Sequence, residues 1–78
     1  MKTIEERMAA AIRQRREEVG LSQEAMATSA GVHRTYASSI ERAKVTISID
    51  VAERIAKSLE LTLSELFKRA EQIAKPTK

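Results

Sequence analysis

QEAMATSAGVHRTYASSIER, residues 23–42, is the stretch that decides the fold of this chain. Small apolar residues recur in it at the spacing of one helical face, first before Gly31 and again after it. The predicted buried positions are Met26, Ala27, Ala30, Val32, Ala37 and Ile40. Gly31 can adopt the positive φ that ends a helix without a Cβ penalty. The stretch therefore predicts two short helices joined by a tight turn.

The second of these helices has a polar outer face. Its members are His33, Arg34, Thr35, Ser38, Ser39 and Arg42, with no acidic residue before Glu41. Imidazole, hydroxyl and guanidinium groups donate hydrogen bonds to phosphates and to base edges in DNA. Two helices in this arrangement, the second of which presents such donors, form the outline of a helix-turn-helix.

The sequence around this stretch resembles a known family. Residues 20–61, GLSQEAMATSAGVHRTYASSIERAKVTISIDVAERIAKSLEL, closely resemble the phage-repressor-like helix-turn-helix family of small bacterial and phage transcription regulators. Within them, residues 30–49 are similar to the controller proteins of restriction-modification operons. The resemblance covers residues 12–67 and is carried by the ordered set SQE, AG, RTY, IER and SI. It implies an all-α, compact five-helix bundle of the lambda-repressor type, with the helix-turn-helix at helices 2 and 3.

Composition limits the other possibilities. The 78 residues predict one domain over 1–78, with an ordered core of about 4–75. Fourteen Lys and Arg against eleven Asp and Glu give a net charge of +3, which is compatible with a nucleic-acid partner. The two aromatic residues, Tyr36 and Phe67, are too few for single-strand binding by base stacking. The absence of cysteine and of a long apolar run predicts a cytoplasmic protein with no membrane partner.

Capping patterns predict the bounds of the remaining helices. Thr-x-x-Glu capping boxes at residues 3–6 and 62–65 mark the starts of helices 1 and 5. Gly20 is expected to end helix 1 as a left-handed cap. Helix 4 is predicted over residues 49–59, and helix 5 is predicted to end near Lys75.

Arg34 is the first candidate for base recognition. At the exposed start of the second helix its guanidinium can donate to O6 and N7 of a guanine, a contact worth about 1–3 kcal/mol of discrimination. Thr35 can add a hydroxyl hydrogen bond or place its methyl group against thymine. Ser38 and Ser39 lie one turn further on, where they can contact a base edge or a phosphate.

A second group of residues is predicted to contact the DNA backbone. The resemblance implies phosphate contacts for the amides of Gln23 and for the loop that follows the second helix. Alternatives stay open for Tyr36 as a purely structural ring, for Arg13 as a solvated charge and for His33 as a helix cap. The predicted set is Gln23, His33, Tyr36, Arg42, Lys44, Thr46 and Arg13.

Arg16 and Glu41 are predicted to form a structural salt bridge. In the family that the chain resembles, an arginine at the place of Arg16 commonly pairs with a glutamate at the place of Glu41. The resemblance therefore implies an ion pair that ties helix 1 to the recognition helix.

A two-fold homodimer is expected, because one recognition helix contacts only about three or four bases. Two such helices about 34 Å apart fit successive major grooves of a pseudo-palindromic operator. Apolar residues beyond the predicted core stripes are the candidates for the dimer interface: Ile47, Val51, Ala70, Ile73 and Ala74. A shallow core edge is an equal alternative for Ile47 and Val51. Leu66 and Phe67 are expected to close the core against helix 1.

These features predict a sequence-specific double-stranded DNA-binding transcription regulator. Within that class, a restriction-modification controller protein and a generic phage-like or chromosomal repressor both stay open. A different class is an antitoxin-type module that binds DNA and a partner protein, although the chain has few residues outside the domain to wrap a toxin. No carboxylate pair, nucleophile–base set or metal-ligand cluster falls on one face. No enzyme activity, metal, cofactor or small-molecule ligand is therefore expected.

Overall fold

Five α-helices account for the regular structure of residues 3–74, the part of the chain that the computed structural model describes. They are α1 (Ile4–Glu18), α2 (Gln23–Ala30), α3 (Arg34–Glu41), α4 (Ile49–Ser58) and α5 (Leu63–Ala74). Helix α1 packs against α3 and α5, and α2 packs against α3 and α4. The expected all-α five-helix bundle is confirmed. None of the described helices is long and apolar enough to cross a membrane.

The predicted capping residues begin the helices. In the first capping box the Glu6 N–H donates to Thr3 Oγ1 at 3.1 Å, and the Thr3 N–H donates to Glu6 Oε1 at 2.9 Å. Thr62 and Glu65 make the same reciprocal pair at the start of α5, at 2.8 and 3.0 Å. Each box satisfies backbone N–H groups that have no partner inside a helix.

Left-handed residues follow α1, α3 and α4 and reverse the chain. Gly20 has a φ of 75°, as expected, but Ala43 and Glu60 adopt φ values of 57° and 62°. In each turn two N–H groups donate back to carbonyls of the last helical turn, as Lys44 does to Ser39 O at 2.9 Å. A non-glycine residue in this conformation costs about 1–2 kcal/mol. Ala43 is therefore a strained residue in the turn that follows α3.

The core is built from small and aliphatic side chains contributed by all five helices. Its fully buried large members are Ile12, Met26, Ile55, Leu59 and Leu66. Alanines fill much of the remaining space, so the helix backbones approach closely and little aromatic volume is needed.

Two residues predicted for a dimer interface are core residues of the single chain, so that assignment is wrong for both. Val51 is buried one turn before Ile55 on α4, which is the core-edge alternative. Ala70 is buried on α5, which packs against α1 and α4. Phe67 is 38% exposed, so Leu66 closes the core without it.

The remaining two predicted interface residues of α5 have different outcomes. Ile73 is half-buried and packs against the core cluster. The side chain of Ala74, together with residues 1–2 and 75–78, lies outside the described part of the chain. The predicted end of helix 5 at Lys75 falls in that range.

Candidate nucleic-acid interface

Helix α3 is held by one buried side and by caps at both ends. Ala37 and Ile40 face the core against α2 and α1, so the opposite side faces solvent. His33 is the N-cap, and its Nδ1 accepts a hydrogen bond from the Thr35 N–H at 3.1 Å. In the neutral ring the hydrogen is therefore on Nε2, which takes no part in the cap. The helix-cap alternative for His33 describes this contact.

The turn between α2 and α3 has a fixed geometry. Gly31 has a φ of 72°, and Arg54 of α4 donates from Nη1 to the carbonyls of Ala30 and Gly31, both at 3.3 Å. A Cβ at Gly31 would lie 3.3 Å from the same nitrogen, so a side chain would be strained and would crowd this contact. The angle between the two helices is thus set by α4 as well as by the turn itself.

Glu41 joins three helices through its buried carboxylate. Glu41 is only 4% exposed. Arg16 of α1 donates to the Glu41 carboxylate from Nε at 2.7 Å and from Nη2 at 3.1 Å. Gln23, at the start of α2, donates from Nε2 to Glu41 Oε1 at 3.1 Å. The hydrogen bond to Glu41 raises the pKa of Arg16, outweighing the opposite effect of burial. The Arg16–Glu41 pair expected from the resemblance is present in the structure.

Two arginines of α1 also satisfy backbone carbonyls beside this carboxylate. Arg13 donates from Nη1 to the Glu41 carbonyl at 3.0 Å, and Arg16 donates from Nη1 to Leu21 O at 2.9 Å. Cations at the C-terminal end of a helix are favoured by its dipole. Arg13 is therefore a cap for α3, although its side chain is exposed.

The outer face of α3 and the loop after it carry the predicted DNA-contact residues. The exposed residues of this face and loop are His33, Arg34, Thr35, Arg42, Lys44 and Thr46. Ser38 and Ser39 are half-buried, and so is Tyr36, whose ring packs against the core cluster. Arg34 and Thr35, at the first turn of α3, are thus more accessible than the two serines.

Arg34 has a neighbour that the sequence did not predict. Its Nη1 lies 3.6 Å from Glu24 Oε1 in the first turn of α2, and the two side chains are 68% and 70% exposed. Periodicity places each residue on the outside of its own helix, but the distance between them depends on how α2 and α3 cross. The bond from Gln23 to Glu41 was missed for the same reason.

No group of three His, Asp or Glu side chains within residues 3–74 is placed to hold a metal ion. The donors described above are hydroxyl, amide, imidazole and guanidinium groups. Their chemistry suits phosphate oxygens and base edges.

A helix-turn-helix held by a buried ion pair, with a polar second helix, defines the class of this protein. The helix-turn-helix family model matches residues 12–66, and the chain belongs to this family. The control protein C.MunI from a Mycoplasma species is 45% identical over 58 residues, which cover 74% of this chain and 78% of that protein. The predicted resemblance to controller proteins is confirmed.

Solved structures give the same comparison. The wild-type restriction-modification controller protein C.Esp1396I aligns with a TM-score of 0.86 and 29% identity, over 99% of this chain and all of that one. C.AhdI from Aeromonas hydrophila, also a restriction-modification controller protein, aligns with a TM-score of 0.77 and 29% identity, over 80% of this chain and 94% of that one. The clp gene regulator ClgR from Corynebacterium glutamicum, 19% identical with a TM-score of 0.90, shares the fold.

Proposed function

We propose that this protein is a restriction-modification controller protein: a transcription regulator that binds a pseudo-palindromic double-stranded operator as a homodimer. The observation that carries the proposal is the exposed first turn of α3, where Arg34 and Thr35 stand on a rigidly held helix. The 45% identity to C.MunI supports the controller assignment within the wider helix-turn-helix family.

Base recognition is assigned to the outer face of α3. Arg34 contacts a guanine through two N–H donors, and Thr35 contacts the neighbouring base. Ser38 and Ser39 are half-buried, so they contact a base or a phosphate only if α3 inserts deeply into the major groove.

Backbone contacts are assigned to the residues around that face. Gln23, whose amide is oriented by Glu41, contributes its backbone N–H at the start of α2, where the helix dipole favours a phosphate. His33 contributes Nε2–H, and Arg42, Lys44 and Thr46 contribute donors from the loop. Tyr36 contributes its hydroxyl, and Arg13 contributes the guanidinium hydrogens that Glu41 does not engage.

The homodimer is assigned to an apolar patch formed by Ile4, Ile47, Ile49 and Phe67. Ile49 is 74% exposed at the start of α4, and Ile4 and Phe67 are also exposed. A groove of about 110 Å³ lies among these residues and has a mostly apolar lining. Large exposed apolar residues that cluster mark interaction sites. Ile47 lines this groove but is half-buried and also packs against the core cluster, as in its core-edge alternative, while Ile4, Ile49 and Phe67 take the place of the buried Val51 and Ala70.

The dimer assignment is tested with Ile49→Glu, using Ile49→Leu as the matched control. A charge in the patch should convert the dimer to a monomer in sedimentation equilibrium, with an unchanged helical circular dichroism spectrum. Operator binding should weaken as the dimer dissociates. The leucine variant should remain dimeric, and a dimeric, folded glutamate variant would show that the interface lies elsewhere.

The function is tested by selecting binding sites from random duplex DNA at physiological salt. A pseudo-palindrome that binds two copies of the protein is the expected product. The controller assignment further requires this sequence to occur upstream of a restriction gene and the gene for this protein. Selection that enriches no sequence contradicts the proposed function, while enrichment of an operator at unrelated genes leaves a generic repressor.

A further inference from the structure

The only acidic side chain seen beside Arg34 within the described residues is Glu24. The contact of 3.6 Å joins the first turn of α2 to the first turn of α3, across the two helices of the motif. Both side chains are more than two-thirds exposed, so the contact adds little to the stability of the fold. Because Glu24 lies beside the proposed base-recognition residue, we consider a role in DNA recognition instead of one in stability.

The contact leaves Arg34 able to bind a base. It uses Nη1 of the guanidinium, so the N–H groups of Nε and Nη2 remain available as an adjacent pair. Such a pair matches O6 and N7 of guanine. Glu24 can therefore hold one side of the guanidinium while the other side contacts the base.

The same carboxylate opposes binding to DNA of any sequence. Glu24 is the neighbour of Gln23 at the start of α2, where a phosphate is expected to approach. A negative charge there repels phosphates and also competes with them for Arg34. This cost applies to every duplex, but only the operator offers the guanine contact that offsets it.

We propose that Glu24 is a positioning residue that determines specificity: it orients Arg34 for guanine and disfavours capture of Arg34 by phosphates. The inference rests on the proposed base-recognition role of Arg34. It adds a residue of α2 to a recognition surface otherwise assigned to α3 and the loop after it.

The first test compares Glu24→Gln with Glu71→Gln. Both remove one negative charge, but Glu71 is an exposed residue on α5, which packs against α1 and α4. Dissociation constants are measured on the selected operator and on a scrambled duplex of the same length. Glu24→Gln should bind the scrambled duplex more tightly and the operator no more tightly, so the specificity ratio should fall about tenfold. Glu71→Gln should leave the ratio unchanged.

The second test asks whether Glu24 acts through Arg34. In an Arg34→Ala background, Glu24→Gln should no longer change the specificity ratio. Glu24→Asp keeps the charge on a shorter side chain, so it should bind the scrambled duplex as weakly as the wild type but lose operator affinity. The gain of Glu24→Gln on the scrambled duplex should shrink as salt is raised, because the repulsion is screened.

The outcomes separate this inference from the proposed function. If Glu24→Gln tightens binding to both duplexes by the same factor while Arg34→Ala loses specificity, Glu24 is a general charge and the inference is wrong. If Arg34→Ala retains full specificity, the base-recognition role of Arg34 fails, and the inference fails with it. Melting temperatures of all variants should equal that of the wild type within a few degrees.

Discussion

Glu41 and Glu24 are two glutamates of one helix-turn-helix, each beside an arginine, in opposite surroundings. Glu41 is 4% exposed and accepts from Arg16 and Gln23 at 2.7 to 3.1 Å. Glu24 is exposed and has a single arginine contact at 3.6 Å. The same residue type therefore joins the helices of the motif in one place and lies exposed beside the proposed base-recognition residue in the other.

The difference follows from desolvation. A buried carboxylate without partners is very unfavourable, so Glu41 is tolerated only while its donors surround it. An exposed carboxylate remains hydrated, so Glu24 can change partners at small cost. Rigidity comes from the first arrangement, whereas the second leaves the Arg34 guanidinium exposed and its contact with Glu24 easily rearranged.

The largest expected effect is the loss of folding stability caused by Glu41→Ala. Removing the carboxylate leaves Arg16 and Gln23 without their acceptor. We expect the free energy of unfolding to fall by about 3 kcal/mol. This is the lower end of the range for a broken buried ion pair, because Arg16 keeps some contact with solvent. Urea unfolding measures the change. Glu41→Gln, which keeps an acceptor, should lose less, and Glu24→Ala is the exposed control. If Glu41→Ala and Glu24→Ala have the same free energy of unfolding, Glu41 does not stabilise the fold more than Glu24 does.

The next effect is on DNA binding and comes from Arg34→Ala. Specific operator binding should weaken by about 1–3 kcal/mol, with a much smaller change on scrambled DNA. The unfolding free energy should stay at the wild-type value, because Arg34 is exposed. Fluorescence anisotropy on both duplexes measures the change. Equal losses on the two duplexes mean that Arg34 contacts phosphate.

A smaller change in stability, of opposite sign, is expected for Ala43→Gly. Ala43 lies in the turn after α3, two residues beyond Glu41. Glycine relieves the left-handed strain, which should raise stability by about 0.5–1 kcal/mol after the greater chain entropy of glycine is included. Glu60→Gly makes the same change after α4 and serves as the control. Neither variant should change the specificity ratio in binding measurements. A lower melting temperature for Ala43→Gly shows that the Ala43 side chain contributes packing that outweighs its strain.

The smallest effect concerns a third carboxylate, that of Glu18. Hydrogen bonds from Arg69, and then from Arg15, lower the pKa of Glu18 from its ordinary value of 4.5. A lowered pKa adds stability above 4.5 that is lost as the pH falls through the folded-state value. Glu18→Gln should therefore melt slightly below the wild type at neutral pH, and the difference should close in acid. A difference that grows in acid contradicts this sign.

Much of the fold follows from local patterns. Thr3 and Thr62 predict capping boxes through their spacing to a glutamate three residues on, and Gly20 predicts a helix end through its conformational freedom. These signals act within one turn of chain, so they can be recognised without knowing the packing. Burial was less predictable: the pattern predicts Ala70 outside the core and leaves Val51 open between an interface and a core edge, since periodicity gives a face but not which neighbouring helix covers it.

The candidate site divides in the same way. The exposed start of α3 with Arg34 and Thr35 was predicted from residue order alone, and Arg16–Glu41 was implied by family resemblance. The contacts of Gln23 with Glu41 and of Glu24 with Arg34 were not predicted. Each crosses between helices, and a contact of this kind depends on crossing angles that no single helix encodes.

By itself, then, the sequence determined the capped starts of α1 and α5, the end of α1 at Gly20, the polar face of α3 and the family to which the chain belongs, since these depend on neighbours a few residues apart. Only the tertiary structure decided which carboxylate is buried, which apolar residues remain exposed and which acidic side chain lies beside Arg34. The physical reason is that burial and ion pairing depend on distances through space. Those distances are fixed when all the helices pack together.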